Sequence, residues 1–351
     1  MKKTYICTLL IFIILFQSLS SISPPDEVLK KITFIEEQVQ EIRGLQFKER
    51  PKVIIITRDE AKLLFSPPKP TEEMKLWELI YKITFILPQD ASLYKEEKED
   101  TARWIAATVG NKIYIIRENF LESGDVALRA TAHELTHILQ RNLNATYSGS
   151  TLDETLAIRA LVEGDADLVA DMFCKRNGIK IVKITNISKR YLYWSLNVFP
   201  YVFGDKFVQF LYQKGGWELV NEAYRNPPTS TKVVMFPELY LKGWAPKNVT
   251  INESGIIEDT LGAYYVFLIA WQVYDWNEAL KIAKSWSGDK LVLTKNLTLF
   301  WKVEFSSEDA SEEFEKAIRS LSYGVKIARY NIAREGKFVI LKAQAVPPSS
   351  S

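Results

Sequence analysis

The chain has 351 residues, of which 47% are hydrophobic and 25% are charged, as in an ordinary globular protein. It carries 45 basic and 43 acidic residues, and the net charge of +2 argues against a nucleic-acid partner because it supplies no strong electrostatic field. This length is enough for one large domain or two medium ones.

The N-terminus has the pattern of an export signal. Two lysines precede an almost wholly apolar segment, residues 5–16, and small residues follow through Ser23. The apolar segment is shorter than the roughly 20 residues that span a membrane. Residues 1–23 are therefore predicted to be a signal peptide, with a retained anchor as the alternative because no Ala-x-Ala site is present. The mature chain is then expected to be secreted or at the cell surface, and a retained anchor would tether it to the membrane.

Export would leave Cys174 as the only cysteine, which excludes an internal disulfide. Five Asn-x-Ser/Thr sequons fit an exported and glycosylated chain, although such triplets are also common by chance. They lie at Asn144, Asn186, Asn248, Asn252 and Asn296.

The N-terminal third alternates between helical and strand patterns. An amphipathic helix is predicted over Asp26–Arg43, stopped by Gly44. Further along, the pattern predicts a strand at 53–56, a helix from the proline-rich break at 67–70 to about residue 86, a loop or solvated helix face at 95–100, and a strand at 113–116.

Two strong helices follow. From Asp125 onward apolar residues recur at helical spacing, with Ser123 or Asp125 as the expected cap. A second helix opens at Thr151–Glu154 in a capping-box pattern and ends at Gly178. More helix is predicted over 191–224, before a proline-rich break.

After about residue 255 the predicted order is helix, helix, strand, strand, helix, strand, strand. The strands are expected near 291–294, 297–303, 325–331 and 337–341. The predicted fold class is α+β, with a small N-terminal sheet, a helical centre and a smaller C-terminal α+β unit. The predicted divisions are a main domain over 24–254, a subdomain over 255–345 and a disordered tail over 346–351.

The only histidines of the chain, His133 and His137, lie four residues apart with Glu134 between them. Residues four apart share one face of a helix, so both imidazoles can bind one ion. Glu134 is rotated by about 100° and can approach a water bound to that ion. Two neutral nitrogen ligands beside a carboxylate base predict a hydrolytic Zn²⁺ site.

The third zinc ligand is expected to be a carboxylate. A structural zinc site usually has four ligands, often cysteines, whereas a catalytic site keeps three and an open position. This chain has one mature cysteine. No third histidine remains, because Gln140 and Leu143 occupy the positions that an extended motif would use.

Glu163, on the second strong helix, is the preferred third ligand. Asp167 follows one turn later and is expected to accept a hydrogen bond from the outer N–H of a zinc-bound histidine. The small residues Gly164 and Ala166 are expected to let this helix pack closely against the motif helix. The alternative ligands are Glu154, Asp153 and Asp165.

His-Glu-x-x-His followed by Glu-x-x-x-Asp resembles the gluzincin metallopeptidases over residues 133–167. The resemblance implies a zincin-like core in which His133, His137 and Glu163 hold zinc. It also implies that Glu134 is the base and that Asp167 supports a histidine.

A wider resemblance covers most of the mature chain. Five segments occur in an order similar to that of a mostly uncharacterised group of predicted secreted or surface metalloproteins of archaea and bacteria. They are HELTHILQ at 133–140, EGDA at 163–166, PPTST at 227–231, PELY at 237–240 and WSGD at 286–289. Phe236 and Ala263 depart from that group, which has histidine and an acidic residue there. The later segments are therefore expected to form a turn and core aromatics.

These patterns predict a zinc metallopeptidase acting on a peptide or protein substrate, with Glu134 assisting the attack of zinc-bound water on the peptide bond. The alternative is an inactive zinc-containing surface protein that binds a partner. The predicted strand at 113–116 is a candidate to pair with an extended substrate. A residue that stabilises the developing oxyanion is also required. Its candidates are Tyr193, Tyr201, Tyr240 and Arg159.

Overall fold

The computed structural model describes residues 26–65, 69–101 and 104–346. The predicted signal peptide and residues 347–351 of the predicted tail lie outside the described residues. The chain is α+β, with small sheets toward its two ends and helices between them, which confirms the predicted fold class.

The first region builds a three-stranded sheet flanked by helices. Its elements are α1 (Asp26–Arg43), β1 (Lys52–Ile56), α2 (Arg58–Phe65), α3 (Glu72–Ile83), α4 (Leu93–Thr101), β2 (Ala106–Val109), β3 (Lys112–Ile116) and α5 (Arg117–Ser123). The β-branched and aromatic residues of β1 and β3 favour strand. The charged segment 95–100 is helical, within α4.

Strand β3 lies in the middle of this sheet, parallel to β1 and antiparallel to β2. Both of its edges are therefore hydrogen-bonded within the protein. The expectation that β3 pairs with a substrate is wrong, because a central strand has no free backbone groups to offer. The strands at the two edges of this sheet are β1 and β2.

The helical centre contains the two long helices that the sequence predicts. Its elements are α6 (Asp125–Gln140), α7 (Leu152–Arg176), α8 (Leu192–Asn197), α9 (Phe199–Arg225), α10 (Thr231–Met235) and α11 (Pro237–Leu241). The predicted cap of α6 is wrong, because Gly124 precedes the helix and no side chain caps it. At α7 the Thr151 hydroxyl accepts from the Glu154 N–H at 3.1 Å, as the capping pattern predicts.

Helices α7 and α9 approach very closely where Gly164 meets Gly204. A Cβ on Gly164 would lie 2.2 Å from the Gly204 carbonyl oxygen, and a Cβ on Gly204 would lie 2.2 Å from that of Ala160. The sequence therefore anticipates close packing at Gly164 but assigns the wrong partner: the glycine faces α9, not the motif helix α6. This contact fixes α7 immediately beside Glu163.

Replacing Gly164 by Ala is expected to lower the free energy of unfolding by about 3 kcal/mol, since the new methyl group would overlap backbone atoms that cannot move independently. The measurement is the midpoint of chemical denaturation. Gly324→Ala is the control, because a Cβ there would have no neighbour closer than 3.9 Å. Equal midpoints for the two variants would contradict the close contact.

The C-terminal region forms a five-stranded sheet packed against helices. Its elements are β4 (Ile257–Asp259), α12 (Gly262–Val273), α13 (Trp276–Ser285), β5 (Trp286–Leu293), β6 (Thr298–Phe305), α14 (Glu308–Ser322), β7 (Ala328–Glu335) and β8 (Phe338–Ala345), in the sheet order β4-β5-β6-β8-β7. One hydrophobic cluster runs from α3 through α7, α9 and α12 into this sheet. The helical centre and the C-terminal sheet therefore share one hydrophobic cluster.

The segment WSGD at 286–289 supplies a buried junction between helices and sheet. Asp289 accepts hydrogen bonds from the backbone of Leu261 and Gly262 at 2.9 Å, and from the indoles of Trp286 at 3.1 Å and Trp301 at 3.0 Å. For this segment the expectation of a core aromatic is confirmed, because Trp286 is fully buried. Within the described ranges, no helix is long and apolar enough to cross a membrane.

Candidate metal centre

His133 and His137 project from one face of α6 toward Glu163 on α7. The two Nε2 atoms lie 3.1 Å apart, and Oε2 of Glu163 lies 3.1 Å from Nε2 of His133 and 3.4 Å from Nε2 of His137. Each of these three residues is less than 9% exposed. Three metal-binding atoms from two helices thus form a small buried triangle.

The dimensions of this triangle suit a tetrahedral metal. Zinc held at about 2.0–2.1 Å by nitrogen and oxygen ligands places those ligand atoms about 3.3 Å from one another. The observed edges bracket this value, and a two-imidazole, one-carboxylate donor set is one that zinc accepts. The residues therefore fit the ion that the sequence implies.

The outer nitrogen of each imidazole has its own buried acceptor. Nδ1 of His133 lies 3.1 Å from Oδ1 of Asp167, and Nδ1 of His137 lies 2.9 Å from Oε1 of Gln140. Such contacts orient the rings and leave the inner nitrogens free to bind a metal. Asp167 therefore lies where the sequence places it, next to a histidine.

Asp167 is itself held by a charged network. Arg129 donates to Asp167 at 2.7 Å and to Asp171 at 2.8 Å, and Lys183 binds both Asp171 and Asp205. Burying a carboxylate beside a cation avoids the large cost of an isolated buried charge. Asp167 is thus negatively charged and held in a fixed position where it contacts Nδ1 of His133.

The triangle favours positive charge. Burial lowers the pKa of His133, but the hydrogen bonds with Asp167 and Glu163 outweigh it and raise that pKa to about 10. Burial also opposes ionisation of Glu163, yet the neighbouring imidazoles hold the pKa of this carboxyl well below its usual range. A positive charge is therefore stabilised between these side chains, and a bound metal cation would supply one.

Glu134 belongs to the same group without being part of the triangle. His133, Glu134 and His137 each offer one atom within 4.8 Å of the others, which makes this group able to hold a metal ion. The Glu134 carbonyl oxygen accepts a hydrogen bond from the Thr108 hydroxyl at 2.9 Å. This bond fixes α6 against the edge strand β2.

Among the oxyanion-stabilising candidates, Tyr201 places its ring against a metal-binding histidine. Its ring centroid is 6.2 Å from that of His133, and the negative charge of Glu163 followed by burial raises its pKa well above the ordinary value. Tyr193 instead donates to Glu97, and Tyr240 donates to the Asn226 carbonyl at 2.7 Å. The positive charge of Arg159 lowers the pKa of Tyr201, but the effects of Glu163 and burial outweigh it.

The alternative ligands proposed from sequence have other partners. Asp153 accepts from the Thr231 N–H at 2.8 Å, and Glu154 accepts from the Ser150 N–H at 2.6 Å. Asp165 is bound by Arg43 at 2.8 Å. Glu163 is thus the one of the four carboxylates that contacts both histidines.

Sequence reasoning missed three residues around the site. Gln140 contacts His137 directly, and Arg129 binds Asp167, which contacts His133. Tyr147 places its ring 6.0 Å from that of His137 and is 43% exposed. Gln140 and Arg129 could have been found, because they lie one turn from His137 and His133 on the same helix. Tyr147 lies on a loop and gave no such signal.

No protein-family model matches the chain, and no curated protein sequence matches it significantly. Among solved structures, the chain is similar to a protein from Chloroflexus aurantiacus described as "a putative hydrolase with a novel fold". The likeness has a TM-score of 0.40 and 13% identity, and it covers 62% of this chain and 89% of the other. Likeness at this level does not establish a shared fold. The resemblance to gluzincins accordingly stays a prediction.

Proposed function

We propose that this protein is a zinc-dependent peptidase. The observation that carries the proposal is the buried triangle of His133, His137 and Glu163 with the carboxylate of Glu134 beside it. Three protein ligands with an adjacent base are the arrangement of a catalytic metal site, whereas a structural site usually has four protein ligands.

His133, His137 and Glu163 would hold the ion, with Asp167 supporting His133. When bound, zinc would polarise the scissile carbonyl and make water a stronger nucleophile at neutral pH. Glu134 accepts the proton of the attacking water and later delivers it to the leaving amine. Its place on α6, one residue after a ligand, keeps it next to the reacting atoms.

Tyr201 is proposed to donate a hydrogen bond to the oxyanion that develops on the substrate carbonyl. Glu163 and burial keep its hydroxyl protonated and therefore able to donate. The substrate is proposed to lie along β2, which is the sheet edge next to α6. An extended peptide can pair with such an edge by backbone hydrogen bonds.

Replacing Tyr201 by Phe is expected to lower kcat by about 10²–10³-fold, the usual effect of losing one oxyanion donor, while zinc content stays unchanged. Tyr240→Phe is the matched control, since its hydroxyl is bonded to Asn226. Steady-state kinetics on one cleaved peptide would compare them. Wild-type kcat in Tyr201→Phe would remove this residue from the mechanism.

The proposed location is outside the cell or at its surface. The basis is the N-terminal export pattern, and the five sequon asparagines are all exposed in the folded chain, where a glycan could be attached. A tether through an uncleaved N-terminal segment is compatible with this location.

A peptide-library cleavage screen tests the activity. The full chain is incubated with a mixture of unmodified peptides, and new termini are identified by mass spectrometry. We expect cleavage that 1,10-phenanthroline abolishes and added zinc restores, whereas the non-chelating 1,7-isomer has no effect. Cleavage that continues after verified metal removal would contradict a metal-dependent peptidase.

A further inference from the structure

The side-chain amide of Gln140 has a defined orientation in the core. Its Nε2 lies 2.8 Å from the Val162 carbonyl oxygen and 3.2 Å from Oδ2 of Asp165. Both neighbours are acceptors, so the nitrogen must face them and Oε1 must face Nδ1 of His137. Gln140 is fully buried, and no solvent competes for these bonds.

This orientation determines which nitrogen of His137 carries a proton. Oε1 of Gln140 can only accept, so Nδ1 of His137 must donate across the 2.9 Å contact. The neutral ring then has its lone pair on Nε2, which points into the triangle. Gln140 thereby selects the form of His137 that can bind a metal.

Asp165 in turn holds Gln140. It is fully buried and accepts from Gln140, from the Tyr224 hydroxyl at 2.7 Å and from Nε of Arg43 at 2.8 Å. A buried carboxylate requires a cation, and Arg43 supplies it. Arg43 is only 1% exposed.

Arg43 is the last residue of α1 and is fixed by two further contacts. Its Nη2 donates to Asn221 at 2.7 Å, and its guanidinium lies 4.3 Å from the ring centroid of Trp217. Both partners lie on α9. The buried ion pair of Arg43 and Asp165 therefore links the N-terminal helix to Gln140, which contacts His137.

We propose that Arg43, Asp165 and Gln140 form a positioning array that holds His137 in its metal-binding form, which makes α1 a permanent part of the site. This rests on the proposed function, in which His137 is a ligand. The two histidines are oriented differently: the outer nitrogen of His133 faces the carboxylate of Asp167, whereas that of His137 faces the neutral amide of Gln140. Removing α1 would leave Asp165 buried without its cation, so α1 cannot act as a removable pro-segment.

The test uses the full chain and two measurements that require no catalysis. The first is zinc affinity from competition with a chelator. The second is the ¹⁵N spectrum of histidine-labelled protein, which is simple because the chain has two histidines. The variants are Gln140→Met, Arg43→Met, Arg43→Lys and the double variant Gln140→Met/Arg43→Met. The control is Thr84→Val, which removes a buried hydrogen bond to the Ile80 carbonyl elsewhere in the core.

We expect Gln140→Met to weaken zinc binding by about 10–100-fold and to lose the signal of an Nδ1-protonated His137. Arg43→Met should shift both measurements in the same direction, and Arg43→Lys should do so less because it keeps the positive charge. The double variant should bind zinc no more weakly than Gln140→Met, since Arg43 acts through Gln140. Thr84→Val should leave zinc affinity and the spectrum unchanged.

Two results would overturn the array: wild-type affinity and spectrum in Gln140→Met, or additive losses in the double variant. If Arg43→Met does not fold, the same cycle is measured with Arg43→Lys. A wild-type chain that binds no zinc would contradict the proposed function instead. The imidazole nitrogen spectrum would still compare wild type with Gln140→Met, because it requires no metal.

Discussion

Substituting Glu134 by Gln is expected to lower kcat for peptide cleavage by about 10²–10⁴-fold while the protein keeps its zinc. Glutamine has nearly the same shape as glutamate but cannot accept a proton from water. The Glu134 side chain lies beside the metal triangle without forming it, so metal binding should persist. The measurement pairs steady-state kinetics with metal analysis of the same preparation.

This variant also separates the two functions that the sequence allows. A peptidase loses turnover and keeps zinc, whereas a surface protein that only binds a partner loses nothing. Wild-type zinc content together with undiminished cleavage in Glu134→Gln would contradict the assignment of Glu134 as the base. Loss of zinc in this variant would instead make Glu134 a ligand.

Removing the carboxylate of Glu163 is expected to abolish stable zinc binding. In Glu163→Ala only two imidazoles remain, and affinity should fall by at least about 100-fold, because losing an outer hydrogen-bonding partner alone can cost that much. Zinc per chain after dialysis, measured by mass spectrometry, gives the result. We expect about one zinc in wild type and almost none in the variant.

The matched control is Glu154→Gln, on the same helix. Glu154 was an alternative ligand, but its carboxylate binds Ser150 at the helix start. This variant should keep its zinc. Zinc retained in Glu163→Ala would contradict the three-ligand site and move the third ligand to another carboxylate. Circular dichroism of both variants would establish that they are folded.

Local patterns in the sequence were sufficient for the helices that carry the site. The apolar spacing around His133 and the cap at Thr151 depend on residues within a few positions of each other, so they can be read without the fold. The separation of the two histidines by one helical turn likewise places them on one face. Even Glu163 could be proposed, since few other groups were available.

Contacts between distant segments decided the rest. The sequence could not show that β3 is flanked on both sides, that Gly164 faces α9, or which tyrosine lies near His133. It also gave no reason to connect Arg43 to a histidine through Asp165 and Gln140. Helical periodicity shows that a residue is buried but not what it is buried against. The sequence by itself therefore determined which side chains can bind a metal, and the tertiary structure determined which residues orient them, because a buried polar group takes its role from partners brought near only by folding.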